Sequence, residues 1–151
     1  MSARCSEAVS NDRERERTYK LYLSHTWNHN HSVRELKSFM DAEEAFRYQS
    51  YSISPHHPVH AAMEERKLYE LIKSKMKFCD AVILLCGVYP SYSRWINKEL
   101  IACKEELRKP LIAVERYGSA KTSLLVKENA DLIVDWNAEA ITGAIRKLVE
   151  P

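Results

Sequence analysis

Apolar runs and apolar stripes alternate along this chain, and the alternation predicts its elements. Tyr19 to Leu23 is rich in apolar and aromatic residues and reads as a first strand. Val33, Leu36, Phe39 and Met40 then recur at helical spacing. Ser32 and Glu35 stand where a capping box would be, so a helix is expected from Ser32 to about Phe46. Tyr48 to Ile53 is a short second strand near an edge. The segment Ser54 to His60 holds two prolines, which fix φ and stiffen the loop. Leu68, Leu71, Ile72 and Met76 are the apolar face of a helix over about 62–77. Ala81 to Cys86 is an unbroken apolar run, as in a strand buried on both faces of a parallel sheet. Gly87 ends it, and a turn around Pro90 leads to a helix whose Ile96, Leu100, Cys103 and Leu107 form one stripe. Pro110 to Glu115 is a fourth strand, and a short amphipathic piece runs from Ser123 to Asn129. Asp131 to Val134 is a fifth strand, after which Asp135-Trp136-Asn137 caps a last helix from Ala138 to Val149.

Five β-α units in alternation imply a parallel sheet covered by helices on both faces. The expected fold is α/β, a flavodoxin-like three-layer arrangement with a five-stranded parallel sheet in the order 2-1-3-4-5. Residues 1–17 end in the mixed-charge run Asp12 to Arg17 and read as a flexible polar tail, leaving 18–151 as one domain. In such a sheet the segments that leave the strands' C-terminal ends gather on one rim. The switch point falls between strands 1 and 3. That places Ser24, His25 and Trp27 beside Tyr89 and the helix carrying Trp95 and Glu99.

Composition removes several alternatives. The net charge is only +2, and no basic patch is interleaved with aromatics, so nucleic acid is not an expected partner. No signal peptide and no run of about 18 apolar residues occurs, which points away from a membrane. Four cysteines at 5, 79, 86 and 103 lack CxxC spacing and read as reduced core residues of a cytoplasmic protein. The three glycines, 87, 118 and 143, lie far apart. Neither GxGxxG nor GxxxxGK[ST] can be written, and a glycine-cradled diphosphate is excluded. All six histidines fall between 25 and 60, on loops, without HxxxH spacing or a cysteine partner, so no metal is expected. No GxSxG elbow is present, and Cys86 reads as a buried structural thiol rather than a nucleophile.

Glu99 is the carboxylate that stands out. At about 100° per residue it projects roughly 70° from the centre of its helix stripe, on the margin of the buried face. Trp95 lies one turn earlier on the same edge. Glutamate is also a good helix former, and a negative charge suits a helix N-terminus without any function. Glu106 lies two turns further along the same row, so helical angle alone does not single out Glu99. The position at the rim of the sheet does.

Several blocks together resemble a known family. Tyr22-Leu23-Ser24-His25-Thr26-Trp27 follows the first strand. Tyr51-Ser52-Ile53-Ser54 precedes His57-Pro58-Val59-His60. Gly87-Val88-Tyr89 leads to Tyr92-Ser93-Arg94-Trp95-Ile96-Asn97-Lys98-Glu99, and Asp135-Trp136-Asn137 closes strand 5. In this order they resemble the TIR-like domain of Thoeris antiphage systems, the ThsB family, over about Tyr19 to Val149. Trp95-x-x-x-Glu99 matches the WxxxE motif of TIR domains.

The resemblance implies a TIR fold and cleavage of NAD, as substrate and not as cofactor, at the nicotinamide–ribose bond. It makes Glu99 catalytic. By position it assigns Ser24, His25, Trp27, Ser54, His57, Tyr89 and Trp95 to substrate binding, with no metal. The implied product is an ADP-ribose-derived signal, either a cyclic ADP-ribose isomer or a conjugate with free histidine as co-substrate. The HTW and HHPVH segments lean toward the conjugate. A separately encoded effector would read the signal, a phage component would trigger its synthesis, and a homo-oligomer would be the working form. The rival expectation is a non-catalytic interaction module, since fold does not settle function. A receiver-type phosphorylation domain fits less well, because the first strand ends in Ser-His-Thr and not in an acidic pair that would hold magnesium. A metal-dependent nuclease would require the histidines to converge.

Overall fold

A computed structural model describes residues 17–28, 31–54, 57–87 and 93–149. Five parallel strands form one sheet: β1 (Thr18–Leu23), β2 (Arg47–Tyr51), β3 (Ala81–Leu85), β4 (Leu111–Glu115) and β5 (Leu132–Asp135). Their order is β2-β1-β3-β4-β5, as the alternation of elements predicted. The five residues of β3 are all buried, which accounts for its unbroken apolar run. The edge strands β2 and β5 are exposed or half-buried throughout.

Strand alternation sends neighbouring residues into two separate cores. On one face, Tyr22, Val82, Leu84 and Ala113 pack under α3 (Glu65–Met76) and α4 (Ser93–Leu100). On the other, Leu21, Leu23, Ile83 and Ile112 pack under α1 (Ser32–Ala42) and α6 (Ala138–Val149). The remaining helices, α2 (Pro58–Ala61) and α5 (Leu124–Asn129), are short.

Local departures from expectation have identifiable causes. Ser32 does not cap α1: it is the first helical residue, and its hydroxyl accepts from the Arg116 guanidinium at 2.8 Å. Glu35 pairs with the same guanidinium at 3.0 Å instead of reaching back to close a capping box. The helix stops at Ala42, short of Phe46, because Ala45 turns the chain with φ at 62°. Phe46 then enters the core next to Tyr19, with ring centroids 5.1 Å apart. Within the proline-rich loop, the Val59 N–H donates to the His57 ring at 3.3 Å and so starts α2.

The largest departure concerns α4, which continues without a break as wide π-helical turns over Ile101–Glu106. The Leu107 N–H donates to the Ala102 carbonyl at 2.9 Å, and Lys109 to Cys103 at 2.8 Å. Each wide turn takes about one residue more than the 3.6 of an α-helix, yet the stripe read from sequence holds, with Ile96, Leu100, Cys103 and Leu107 all packed in one core. Glu106 lies outside that core and pairs at the surface with Lys73, at 3.3 Å.

Candidate active site

The switch point lies between β1 and β3, where the chain returns from the β2 edge to the far side of β1. Immediately after β1, residues His25–Trp27 form a single 3-10 turn. Three bonds hold it to β3. The Ser24 N–H donates to the Ile83 carbonyl at 3.0 Å, and the Trp27 indole N–H donates to the same oxygen at 3.1 Å. The Leu85 N–H donates to the Thr26 hydroxyl at 3.0 Å. Ser24 caps the turn by accepting from the Thr26 N–H at 3.1 Å. Asn28 adds a bond to the Ile53 carbonyl at 2.9 Å, tying the turn to the end of β2.

This turn presents His25 to α4. The His25 imidazole Nδ1 and Glu99 Oε1 are 2.6 Å apart, and the His25 backbone N–H donates to Oε2 at 3.1 Å. Glu99 is 1% exposed and His25 2%, so the pair is out of water and not a rim contact. The carboxylate is thus deeper than the helix margin expected for it. A buried carboxylate is costly unless its oxygens are hydrogen-bonded, and here each one is. Trp95, one turn before Glu99, closes the side, with its ring 5.7 Å from the imidazole and tilted by 43°.

A further polar group enters this site from below. Tyr22 is fully buried on the α3/α4 face of β1, in the same core cluster as Trp95. Its hydroxyl has no hydrogen-bond partner among the described residues. Burial, and after it the charge of Glu99 and a hydrogen-bonding interaction with it outside ordinary bond geometry, push the phenol's ionisation well above the usual tyrosine range. Leaving a buried hydroxyl unsatisfied costs on the order of 1–3 kcal/mol. Tyr22 was not singled out as a site residue in the sequence. The signal was there: a polar-tipped residue between Leu21 and Leu23, three positions before the histidine.

The predicted site residues divide into groups. His25, Trp95 and Glu99 meet. Ser24 is buried and caps the turn that carries His25. Trp27 lies on the opposite face of the sheet, 1% exposed, with its ring 6.1 Å from that of Trp136. Ser54 and His57 belong to the loop after β2. The Ser54 carbonyl lies 2.9 Å from the His60 ring nitrogen, and the His57 and His60 rings are 4.9 Å apart. Tyr89 lies outside the described residues.

The surroundings bear on the chemistry available. Burial pushes the Cys86 thiol up to about 11, against a smaller opposing effect of the Thr122 hydroxyl, which leaves little thiolate for nucleophilic attack. Among the described residues no three His, Cys, Asp or Glu side chains converge to hold a metal ion. No helix there is long and apolar enough to cross a membrane. The site offers a fixed, dry carboxylate flanked by an imidazole, an indole and a phenol. Such a group can stabilise a positive charge and orient hydroxyl groups.

A family model described as the Thoeris protein ThsB, TIR-like domain, matches residues 22–121. That span takes in the first strand's end, His25, Trp95 and Glu99. No curated protein matches the chain. Among solved structures, the signal receiver domain of a Luxo repressor protein from Vibrio parahaemolyticus aligns with TM-score 0.52 at 13% identity. It covers 89% of this chain and 92% of its own. A pilus assembly-related protein from Burkholderia pseudomallei aligns with TM-score 0.50 at 11% identity, covering 90% and 91%. At such identities these two likenesses concern the fold alone, the flavodoxin-like arrangement of a parallel sheet between helical layers.

Proposed function

The chain belongs to the family of the Thoeris protein ThsB, TIR-like domain, and from that premise we propose that it cleaves NAD at the nicotinamide–ribose bond. The observation that supports this reading is the buried Glu99 carboxylate, placed beside Trp95 at the switch point of the sheet with both oxygens oriented by His25. Breaking the bond sends its electron pair away with nicotinamide and leaves an oxocarbenium-like ribose. A fixed carboxylate stabilises that charge and bonds the ribose hydroxyls. The effect is larger in a dry site than in water. Water, free histidine or a nucleophilic atom of the ADP-ribose itself then takes the vacated carbon. The last two give the signal molecules by which a separate effector is reached. A phage component supplies the trigger, a homo-oligomer is the working state, and the cytoplasm is the compartment.

The test is NAD consumption by the full chain in phage-infected cell extract, with products identified by mass spectrometry, with and without added histidine. Glu99→Gln is expected to lower the rate by about 10²–10³-fold. A product mass that depends on added histidine would identify the conjugate. A non-catalytic interaction module is the second reading, favoured by the near-complete burial of Glu99. Equal inertness of wild type and Glu99→Gln in triggered extract would select it.

A further inference from the structure

The Tyr22 hydroxyl is the group at this site that the proposed chemistry leaves unused. It is buried and lacks a hydrogen-bond partner among the described residues. Buried polar groups are nearly always paired, so an orphan next to a carboxylate calls for a reason. A phenylalanine would fill the same space against Val82, Leu84 and Trp95 without the orphaned oxygen. Glu99 acts on the phenol by its charge and by a hydrogen-bonding interaction that falls outside ordinary bond geometry. His25 engages the two carboxylate oxygens once each. A carboxylate has about four acceptor positions, so room remains for one more protein donor as well as a ligand hydroxyl.

We propose that Tyr22 is a positioning residue for Glu99, its hydroxyl donating to the carboxylate once that group turns from His25 toward the ribose of a bound NAD. This rests on the NAD-cleaving reading of the same site. The device follows from the anchoring of each partner. Tyr22 is fixed in β1, flanked by β2 and β3, and its neighbour Leu23 pairs with Ile83. His25 sits on the turn just beyond, and Glu99 alone reaches the site from a helix. A carboxylate that shifts to engage substrate would lose alignment with one donor or both. A third donor from a strand hydrogen-bonded on both sides keeps it oriented through that shift, which is the condition for electrostatic preorganisation. The hydroxyl carries out no bond breaking.

Wild type, Tyr22→Phe, Glu99→Gln and the double variant decide the matter, each as the full chain. NAD turnover in triggered extract is measured against substrate concentration and pH, and unfolding against temperature. Tyr22→Phe is expected to lower kcat roughly tenfold with KM for NAD little changed. It is also expected to move the acid limb of the kcat profile to higher pH, because removing a donor disfavours the ionised carboxylate. In unfolding, the effects of Tyr22→Phe and Glu99→Gln should be non-additive, because the phenol already interacts with the carboxylate before NAD binds. If Tyr22→Phe matches wild type in kcat and acid limb while Glu99→Gln is inactive, the positioning role is overturned and NAD cleavage stands. A loss of turnover that only follows loss of folded protein, with the acid limb unmoved, overturns it as well. If wild type consumes no NAD, the functional reading fails by itself. The pairing of Tyr22 with Glu99 is then judged by the unfolding cycle, where additivity overturns it.

Discussion

At the scale of single residues, His25 decides how Glu99 can exist where it does. The imidazole at 2.6 Å and the backbone N–H at 3.1 Å are the two contacts that offset the carboxylate's loss of water. His25→Ala leaves the backbone bond and removes the imidazole, so the buried carboxylate loses its closest donor. The expected cost is about 2–4 kcal/mol in urea unfolding. Glu99→Gln added on top should recover part of it, because an amide tolerates the same site without a charge. A cost well under 1 kcal/mol would mean that water replaces the ring and that the pair does not hold the turn to α4. Glu99 and Trp95 were legible in the sequence through their spacing and their place after the central strand. Their burial was not. It arises from the turn at His25, whose bonds to Ile83 and Leu85 depend on strand pairing that no local pattern encodes. Trp27 illustrates the same limit. Two residues after His25 in sequence, it is carried to the other core by the tight turn, where its indole N–H meets the Ile83 carbonyl.

Among the elements, the strands were read more closely than the helices, for a physical reason. A strand with both faces buried needs an apolar residue at every position, so Ala81 to Cys86 announces itself. A helix's apolar stripe is as legible, and Ile96, Leu100, Cys103 and Leu107 share one core although α4 changes winding at Ile101. The winding and the bounds of a helix are not legible in the same way. Helix ends also depend on partners distant in sequence: Ser32 and Glu35 have the capping-box spacing, but Arg116, on the loop after β4, engages both. The end of β3 gives a prediction at this scale. Gly87 has φ at +80°, and a Cβ added there would lie 3.0 Å from the Cβ of Lys121 and 3.3 Å from the Tyr117 ring. Gly87→Ala combines a disfavoured backbone region with a close contact, and about 2–3 kcal/mol of destabilisation is expected. Gly118 has φ at +90° with nothing within 4 Å, so Gly118→Ala carries the backbone cost alone, about 1 kcal/mol. Chemical denaturation of the two variants checks the difference, and equal losses would show that the loop carrying Tyr117 and Lys121 gives way.

For the molecule as a whole, the topology was legible because five β-α alternations within 151 residues leave few ways to close a parallel sheet. The two-faced core that results has a consequence for stability against pH. It buries Cys79, Cys86 and Cys103, whose thiols are pushed up to about 11, about 11 and about 12, chiefly by burial. An unfolded cysteine ionises near 8.5. Below that value both states hold the proton, and the thiols contribute no slope. Between it and about 11 the unfolded chain releases protons that the folded chain keeps, so the folded state is progressively disfavoured. Tyr48, raised to about 12 by burial and by its bond to Asp41, acts in the same direction at still higher pH. The thermal midpoint is therefore expected to be insensitive to these thiols from pH 6 to about 8 and to decline from about pH 9 to 11. The variant combining Cys79→Ala, Cys86→Ala and Cys103→Ala should melt lower at neutral pH, because it opens small voids, yet lose less of its midpoint on going to pH 11. A decline as steep in this variant as in wild type would place the cause in groups other than the thiols.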